Sequence, residues 1–219
     1  MEQSPTTTEL RRLRLSGPGA APFVVAWSGG KAAAPSVIAT RRGIAYADEA
    51  LHDRDTAGVL WTRYGVALGL GEPLYGSVHP FRQRRAMRRG LCQMCAGPPD
   101  HDEAGVLWLL DDGRGSRPDW PEGEVTTHPP VCLPCARRAV RACPHLRTGY
   151  VAVRVRHFIP DGVYGTLFRL RGGRLEAGKD AVTLYGDPAN AWMLAGQQTA
   201  TLTGCTVVDL AGSEGDRAA

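Results

Sequence analysis

The sequence lacks any hydrophobic run long enough to cross a membrane, since no apolar stretch approaches the roughly 18 residues that a spanning helix needs. The amino-terminal segment also lacks the apolar core of a signal peptide. A hydrophobic fraction of 43% is ordinary for a globular domain. We therefore expect a cytoplasmic protein that does not contact membranes.

Lysine is scarce, although the chain is basic. Only Lys31 and Lys179 among its 26 basic residues are lysines, and the formal net charge is +4. The other basic residues are arginines, which a GC-rich genome of the actinobacterial kind favours through its codons. So modest a net charge does not by itself indicate a nucleic-acid partner.

Six cysteines are present, and four of them form two Cys-x-x-Cys pairs, Cys92 with Cys95 and Cys132 with Cys135. Reducing compartments disfavour disulfides, so paired spacing of this kind indicates metal binding or redox chemistry. Four thiolates are a standard tetrahedral ligand set for structural zinc. We therefore predict that these four residues hold one structural zinc ion.

Two alternatives to zinc remain open. A thioredoxin-type redox pair needs one Cys-x-x-Cys after a strand of a βαβ unit, whereas two pairs flanking a hairpin suit a metal better. The other alternative is a set of buried cysteines without a ligand. We expect Cys143 and Cys205 to be core residues, and His128 and His145 would be substitute ligands.

The segment around the two pairs resembles the treble-clef zinc fold. The first pair is followed by Ala96 and Gly97, as in a zinc knuckle, VLWLLDDG supplies a strand of a hairpin, and the second pair begins a helix. The resemblance covers residues 90–146, and a zinc ribbon is the near alternative. DHDEAGVLWLL and PPVCLPCARRAVRACPHL also resemble uncharacterised proteins of streptomycetes and their relatives.

The same segment has a partial resemblance to the HNH endonucleases, in which an Asp-His pair lies between two Cys-x-x-Cys pairs. Asp100-His101 matches that pair. The resemblance implies that His101 would be the general base that activates water, beside a divalent cation on the phosphate. The later Asn and His of that family have no clear counterparts, since Cys135 is followed by Ala136 and two arginines.

Two groups of arginines adjoin the cysteine pairs. One precedes the first pair on a predicted basic helix, with Pro80 in its first turn and Gly90 at its end. The other follows the second pair, so a shared ion would bring the groups together. Guanidinium groups bind phosphate oxygens bidentately. The nucleic-acid contacts that we predict are Arg82, Arg84, Arg85, Arg88, Arg89, Arg137, Arg138 and Arg141.

A short stretch occurs twice, as DRDTAGVLW at 53–61 and DHDEAGVLW at 100–108. Each copy joins an acidic, glycine-containing turn to an apolar strand, because Asp accepts local backbone hydrogen bonds and Gly permits a positive φ. We interpret the repeat as one turn-and-strand device used twice.

The carboxyl-terminal part is predicted to combine strands with one helix. YVAVRVRHFI alternates apolar and polar residues, and Gly172-Gly173 suits a hairpin turn. Asp187-Pro188 predicts the start of a helix in DPANAWMLAGQQTATL. The predicted fold class is α+β, with a β-rich amino-terminal part, a central treble-clef-like four-cysteine zinc module and a ββαβ-like carboxyl-terminal part.

Changes in composition divide the chain into five regions. They are a flexible arm at 1–21, a β-rich region at 22–78, a zinc-binding module with its preceding basic helix at 79–147, an α/β region at 148–212 and a disordered tail at 213–219. This organisation predicts a non-catalytic binding or regulatory protein, stabilised by zinc, that contacts nucleic acid through its arginines. The alternatives are a divergent metal-dependent nuclease that uses His101 and a protein–protein adaptor.

Overall fold

A computed structural model describes residues 21–30, 36–66 and 68–210. The arm predicted at 1–21, apart from its last residue, and the tail predicted at 213–219 lie outside the described residues. The described ranges hold eleven β-strands and three α-helices, so the fold is mixed α+β and consists mostly of strands. In the same ranges, no helix has both the length and the apolar composition that crossing a membrane requires.

The strands vary in length from short bridging segments to two long central ones. They are β1 (Val25–Trp27), β2 (Val37–Thr40), β3 (Gly43–Tyr46), β4 (Leu60–Trp61), β5 (Pro73–Val78), β6 (His101–Asp102), β7 (Gly105–Leu110), β8 (Val125–Thr126), β9 (Val151–Arg171), β10 (Arg174–Leu184) and β11 (Met193–Val208). The helices are α1 (Pro80–Arg89), α2 (Leu133–Ala142) and α3 (Pro144–Thr148).

One seven-stranded sheet contains strands from all three central regions of the chain. Its main path runs β4-β11-β9-β7-β6, while β10 pairs with the distal half of β9 and β8 pairs with β11. The pairing of β4 with β11 is parallel, whereas β9 is antiparallel to all its neighbours. Two small antiparallel sheets, β1–β5 and β2–β3, accompany it.

The distal half of the sheet buries residues on both of its faces. On one face, Val163 and Leu167 of β9 pack with Trp61 of β4. Helix α1 lies on this face, because the guanidinium of Arg84 stands 4.4 Å from the centre of the Trp61 ring. We call this the α1 face.

The opposite face of the distal sheet is covered by the β2–β3 hairpin. There Phe168 of β9 packs against a buried cluster of Ile44, Tyr46 and Leu60. Since Leu60 and Trp61 are adjacent in β4, their side chains point to opposite faces, as the pleat of a strand requires. We call this second surface the hairpin face.

Two predicted helices are confirmed. Helix α1 begins at Pro80 and ends at Gly90, whose φ of 56° is the left-handed conformation that glycine adopts at low cost. Helix α2 begins after Cys132, which occupies its N-cap position. The hairpin predicted between the cysteine pairs is β6–β7.

The helix predicted after Asp187 is wrong, and so is the ββαβ-like order of the carboxyl-terminal part. Asp187 does cap a helical turn, accepting from the Ala189 N–H at 2.8 Å, but that turn is a single 3-10 turn, Pro188–Trp192. From Met193 the chain pairs with β9 for 16 residues of strand. Long-range pairing therefore overrides the local signal for a helix start.

The repeated stretch forms the same local turn in both copies. The carboxylate of Asp55 accepts from the Ala57 N–H at 3.0 Å. The carboxylate of Asp102 accepts from the Ala104 N–H at 2.9 Å. Each turn leads into a strand that carries a fully buried tryptophan, so the interpretation as one device used twice is confirmed.

The first aspartate of each copy forms an ion pair with an arginine elsewhere in the chain. Asp53 is paired with Arg63 at 2.5 Å, and Asp100 is paired with Arg154 at 2.5 Å. Hydrogen bonds from Arg63, opposed by burial, lower the pKa of Asp53 to about 2. The device therefore includes an acid–arginine pair that only the folded chain reveals.

Candidate metal centre

The four paired cysteines converge on one point. Their Sγ atoms all lie within 4.8 Å of one another, and those of Cys95 and Cys132 are 3.9 Å apart. Four sulfurs placed about 2.3 Å from a central zinc ion, at the corners of a tetrahedron, would be about 3.8 Å apart. The cluster can therefore hold a metal ion, and its dimensions are compatible with zinc.

A tight turn positions the first pair. The Cys92 N–H donates to the Gly97 carbonyl at 2.8 Å, and the Ala96 N–H donates to the Cys92 carbonyl at 2.8 Å. Ala96 has a φ of 57°, an uncommon conformation for a residue with a side chain. The turn folds the chain back so that the thiols of Cys92 and Cys95 reach the same centre.

Backbone hydrogen bonds attach this turn to the chain that enters the second pair. The Gln93 N–H donates to the Pro130 carbonyl at 2.9 Å, and the Val131 N–H donates to the Leu107 carbonyl of β7 at 2.9 Å. On its other side, the turn accepts from the Phe23 N–H through the Met94 carbonyl at 3.0 Å. The turn is thus held from both sides.

Helix α2 positions the second pair. Cys132 is its N-cap residue and Cys135 lies in its first turn, where free N–H groups and the positive end of the helix dipole favour thiolates. Hydrogen bonding with Cys135, and then with Cys92, lowers the pKa of the Cys132 thiol to about 7. Hydrogen bonds with the other three thiols also lower the pKa of Cys95. Hydrogen bonding with Cys132 raises the pKa of Cys92 and that of Cys135, so the mutual hydrogen bonds favour the deprotonated form at Cys95 and Cys132.

The centre is closed on one side by the hydrophobic core. Cys92 and Cys135 are buried among Leu107 of β7, Val131 and Ala136 of α2. On the polar side, the Arg138 guanidinium donates to the Cys135 sulfur at 3.6 Å. A cation beside a thiolate offsets part of the excess negative charge that four thiolates bring to a divalent ion.

The other two cysteines do not join the cluster. All six cysteines are free thiols, and the metal-compatible group found among the described residues consists of the four paired ones. Cys143 is half-buried between α2 and α3, and Cys205 packs against the Trp108 core cluster. The Nε2 atom of His145 forms a hydrogen bond with the Asp111 carboxylate at 2.9 Å.

His101 lies outside this centre, exposed on β6 and paired through its backbone with Val106. The acidic residues on either side of it bind a buried arginine: Arg154 is 2.5 Å from Asp100 and 3.0 Å from Asp102. The ion pairs tie the β6–β7 hairpin to β9. This role of Arg154 was not visible in the sequence, where it looks like any other polar residue of an alternating strand.

The predicted arginine surface loses one member to the interior. Arg82 is buried and donates to the Phe23 carbonyl at 2.7 Å and to the Val25 carbonyl at 2.5 Å. It therefore joins α1 to the β1 segment and does not reach solvent. Burial lowers its pKa to about 10.

Two further arginines of α1 lie against the α1 face of the sheet. Arg84 stacks over Trp61, and burial lowers its pKa. Arg88 donates to the Gln198 side chain at 3.2 Å and is 3.8 Å from the buried carboxylate of Asp55. Both remain partly accessible at the edge of the helix.

The remaining predicted contacts differ in exposure. Arg85 and Arg89 are exposed one turn apart on α1, and Arg141 is exposed on α2. Arg137 is half-buried and donates to the Leu210 carbonyl at 3.4 Å. Arg138, also half-buried, is directed to the metal centre. Of these five, the exposed arginines are therefore Arg85 and Arg89, on the helix that precedes the cysteine turn, and Arg141, on α2.

No protein-family model, no curated protein and no solved structure matches this chain.

Proposed function

We propose that the protein is a zinc-stabilised, non-catalytic nucleic-acid-binding protein of the cytoplasm. The observation that carries the proposal is the convergence of the four sulfurs, within 4.8 Å, where a tight turn meets the amino terminus of α2. The order of tight turn, hairpin and helix supports a treble-clef-like module. Free thiols in the other cysteines suit a reducing compartment.

The donor set supports a structural role for the ion. Four thiolates complete a tetrahedral shell and leave no position for water or substrate, whereas catalytic zinc sites keep one position open. When bound, zinc would join the Cys92 turn to the first turn of α2. Arginines adjoin both of these segments, so the ion would keep two groups of positive charge close together.

The exposed arginines support a phosphate-binding role for that charge. Arg85 and Arg89 lie on the outer side of the helix that leads into Cys92, and Arg141 lies on the helix that follows Cys135. Exposed guanidinium groups without a buried structural role are suited to pairing with phosphate oxygens. Nucleic acid is the partner with a regular array of such groups.

Metal analysis tests the first half of the proposal. We expect one zinc ion per chain by native mass spectrometry, and its loss in Cys92→Ser and Cys135→Ser. Cys143→Ser is the matched control and should retain the ion, because Cys143 is outside the cluster. A purified, folded protein with no bound zinc and with four reactive thiols at Cys92, Cys95, Cys132 and Cys135 would overturn the zinc assignment.

Equilibrium binding to labelled duplex DNA, single-stranded DNA and RNA across a salt series tests the second half. Affinity should fall steeply with salt, and Arg85→Gln with Arg89→Gln should reduce the slope of log K against log [salt] by about one unit for each phosphate that is no longer neutralised. Arg41→Gln with Arg42→Gln removes the same charge from the exposed β2–β3 turn and should leave the slope unchanged. Binding should be strongest at the lowest salt concentration, on the order of 50 mM. Absence of binding to all three nucleic acids under that condition would eliminate nucleic acid as the partner.

A further inference from the structure

The carboxyl-terminal end of β9 and the start of β10 form a two-stranded ribbon that extends beyond the first residue of β11. The last pair between β9 and β11 is Leu167 with Met193, whereas β9 and β10 stay paired as far as Arg171 with Arg174. Gly172 and Gly173 form the turn, with φ values of 57° and 78°. We call residues 168–177 the arginine ribbon.

The arginine ribbon has one apolar face and one charged face. Directly paired residues of an antiparallel ribbon share a face. Phe168 pairs with Ala177 and Leu170 pairs with Leu175, and the side chains of Phe168 and Leu175 pack against the core cluster on the hairpin face of the sheet. The apolar face therefore fixes the ribbon to the body of the protein.

The charged face of the ribbon consists of two cross-strand pairs. Arg169 pairs with Glu176, and Arg171 pairs with Arg174. All four residues are exposed. Three guanidinium groups therefore share a small surface with one carboxylate, and that carboxylate is 3.9 Å from the Arg171 guanidinium.

The charged face looks in the same direction as helix α1. The register between β9 and β10 shifts once, opposite Leu167, where β10 carries the extra residue. The alternation along β9 itself continues, since Val163 and Leu167 pack in one cluster and Phe168 packs in the other, so Arg169 and Arg171 project to the same side as Leu167. Val163 and Leu167 pack with Trp61, over which Arg84 is stacked. The ribbon arginines and Arg84 therefore lie on the same face of the sheet.

The facing arginines are placed to bind an anion. Like charges directly opposite on a ribbon repel each other, and the pair Arg171–Arg174 adjoins a glycine turn. One phosphate between them would remove the repulsion and accept hydrogen bonds from two planar guanidinium groups. Successive phosphates of a backbone would match an array that continues from Arg171 through Arg169 towards α1.

The outer edge of the ribbon is not suited to strand addition by a protein partner. Among the described residues, β10 pairs with β9 alone. Its edge is interrupted where Gly178 and Lys179 bulge between Ala177 and Asp180. A bulge with adjacent charged residues protects an edge against another strand. Contact is therefore made by the arginine side chains.

We propose that the arginine ribbon is a second contact for the phosphodiester backbone of nucleic acid, on the face of the sheet that carries α1. This inference rests on the proposed function for its ligand, but it assigns residues outside the cysteine module. Arg171 and Arg174 bind one phosphate, and Arg169 continues the track towards Arg84.

The test uses a double variant that carries both Arg171→Gln and Arg174→Gln. It is compared with the unaltered protein. Fluorescence anisotropy with a labelled duplex and a labelled single-stranded RNA, each about 20 nucleotides long, is measured across a salt series. We expect the affinity to fall roughly tenfold at 100 mM salt and the salt slope to decrease by about one unit, because the two arginines share one phosphate. Zinc content and far-UV circular dichroism should match the unaltered protein.

The control variant is Arg41→Gln with Arg42→Gln, which removes two charges from another exposed hairpin turn, the one on the hairpin face. It should bind within twofold of the unaltered protein. If the ribbon variant keeps full affinity while the unaltered protein binds, or if the control is weakened as much, the ribbon is not a specific contact and the proposed function stands. If the unaltered protein binds neither nucleic acid at 50 mM salt, both proposals fail together.

Discussion

At the scale of single residues, His79 shows how burial turns a titratable side chain into a structural group. It caps α1: its Nδ1 accepts from the Arg82 N–H at 3.4 Å, and its Nε2 donates to the Gly65 carbonyl at 3.2 Å. Both bonds use the neutral ring. Burial, followed by the charge of Arg82, lowers the pKa of His79 to about 4.

The shift at His79 predicts a loss of stability in mild acid. The pKa of His79 in the folded protein lies below its unfolded value of about 6.5. The neutral ring therefore makes its full contribution to the unfolding free energy above pH 6.5, and this contribution declines as the pH falls towards 4. Between pH 7.5 and pH 5.5, His79 should account for about 1 kcal/mol of lost unfolding free energy. His79→Asn keeps a capping side chain that does not titrate and should remove this contribution.

Urea unfolding of both proteins at the two pH values measures the difference. Zinc content is determined in each sample, since protonation of thiolates also releases the metal. An identical pH dependence in the variant and the unaltered protein would contradict the assignment. The comparison with Asn isolates His79 from the carboxylates, which titrate in both proteins.

Arginine is the residue type that the sequence distinguishes least well. Arg82 and Arg154 have the same surroundings in the sequence as exposed arginines, yet one bonds to backbone carbonyls and the other to two aspartates. Buried guanidinium groups of this kind hold segments together, because removing one partner leaves an unpaired group in the interior. Their roles depend on partners that are distant in sequence.

At the scale of elements, Gly58 and Gly105 occupy matching positions of the repeated turn but differ in surroundings. Both have a positive φ, 79° and 121°. A Cβ at Gly58 would meet nothing within 4 Å, whereas one at Gly105 would overlap the Val155 carbonyl of β9. The close approach exists because β7 is paired directly to β9.

Alanine at these two glycines should therefore have unequal effects. Gly58→Ala should cost about 1 kcal/mol of unfolding free energy, from backbone strain alone. Gly105→Ala should cost roughly 3 kcal/mol or more, since the strain is joined by a clash with β9. Chemical denaturation of the two variants provides the comparison, and equal costs would mean that β7 and β9 can separate enough at Gly105 to admit a methyl group.

The carboxyl-terminal strand shows the limit of local signals for whole elements. Asp187 and Pro188 start a helical turn as expected, but β-branched and small residues follow from Met193, and these pair with β9 along its length. The extended pairing of β11 with β9 makes this segment a strand, although the capping residues favour a helix. By contrast, α1 and α2 were predictable because caps, periodicity and terminators agreed at both ends.

At the scale of the whole molecule, two separate hydrophobic clusters lie towards opposite ends of the main sheet. One contains Cys92 and Cys135 with residues of β7 and α2. The other contains Trp61 and Val163, where the carboxyl-terminal half of β9 pairs with the start of β11. On the proposal that the cluster holds zinc, removal of the ion should therefore affect the two ends of the sheet differently.

Hydrogen exchange after chelation measures this difference. With a zinc chelator, amides of residues 92–142 should exchange at least tenfold faster, because the turn and α2 lose the link between them. Amides of β9 and β11 that pair beyond Gly162 should change little. Returning zinc should restore protection, and uniform loss of protection throughout the sheet would show that the whole fold depends on the ion.

The sequence by itself determined the four cysteines of the cluster, the hairpin between the two pairs, helices α1 and α2, and the repeated turn-and-strand device. These features depend on spacing, caps and turn residues that act within a few positions of the chain. Tertiary structure alone decided which arginines are buried, how β4, β7, β9 and β11 share one sheet, and that the arginine ribbon faces the same way as α1. These depend on strand register and on packing between residues far apart in the chain, so no local pattern carries them.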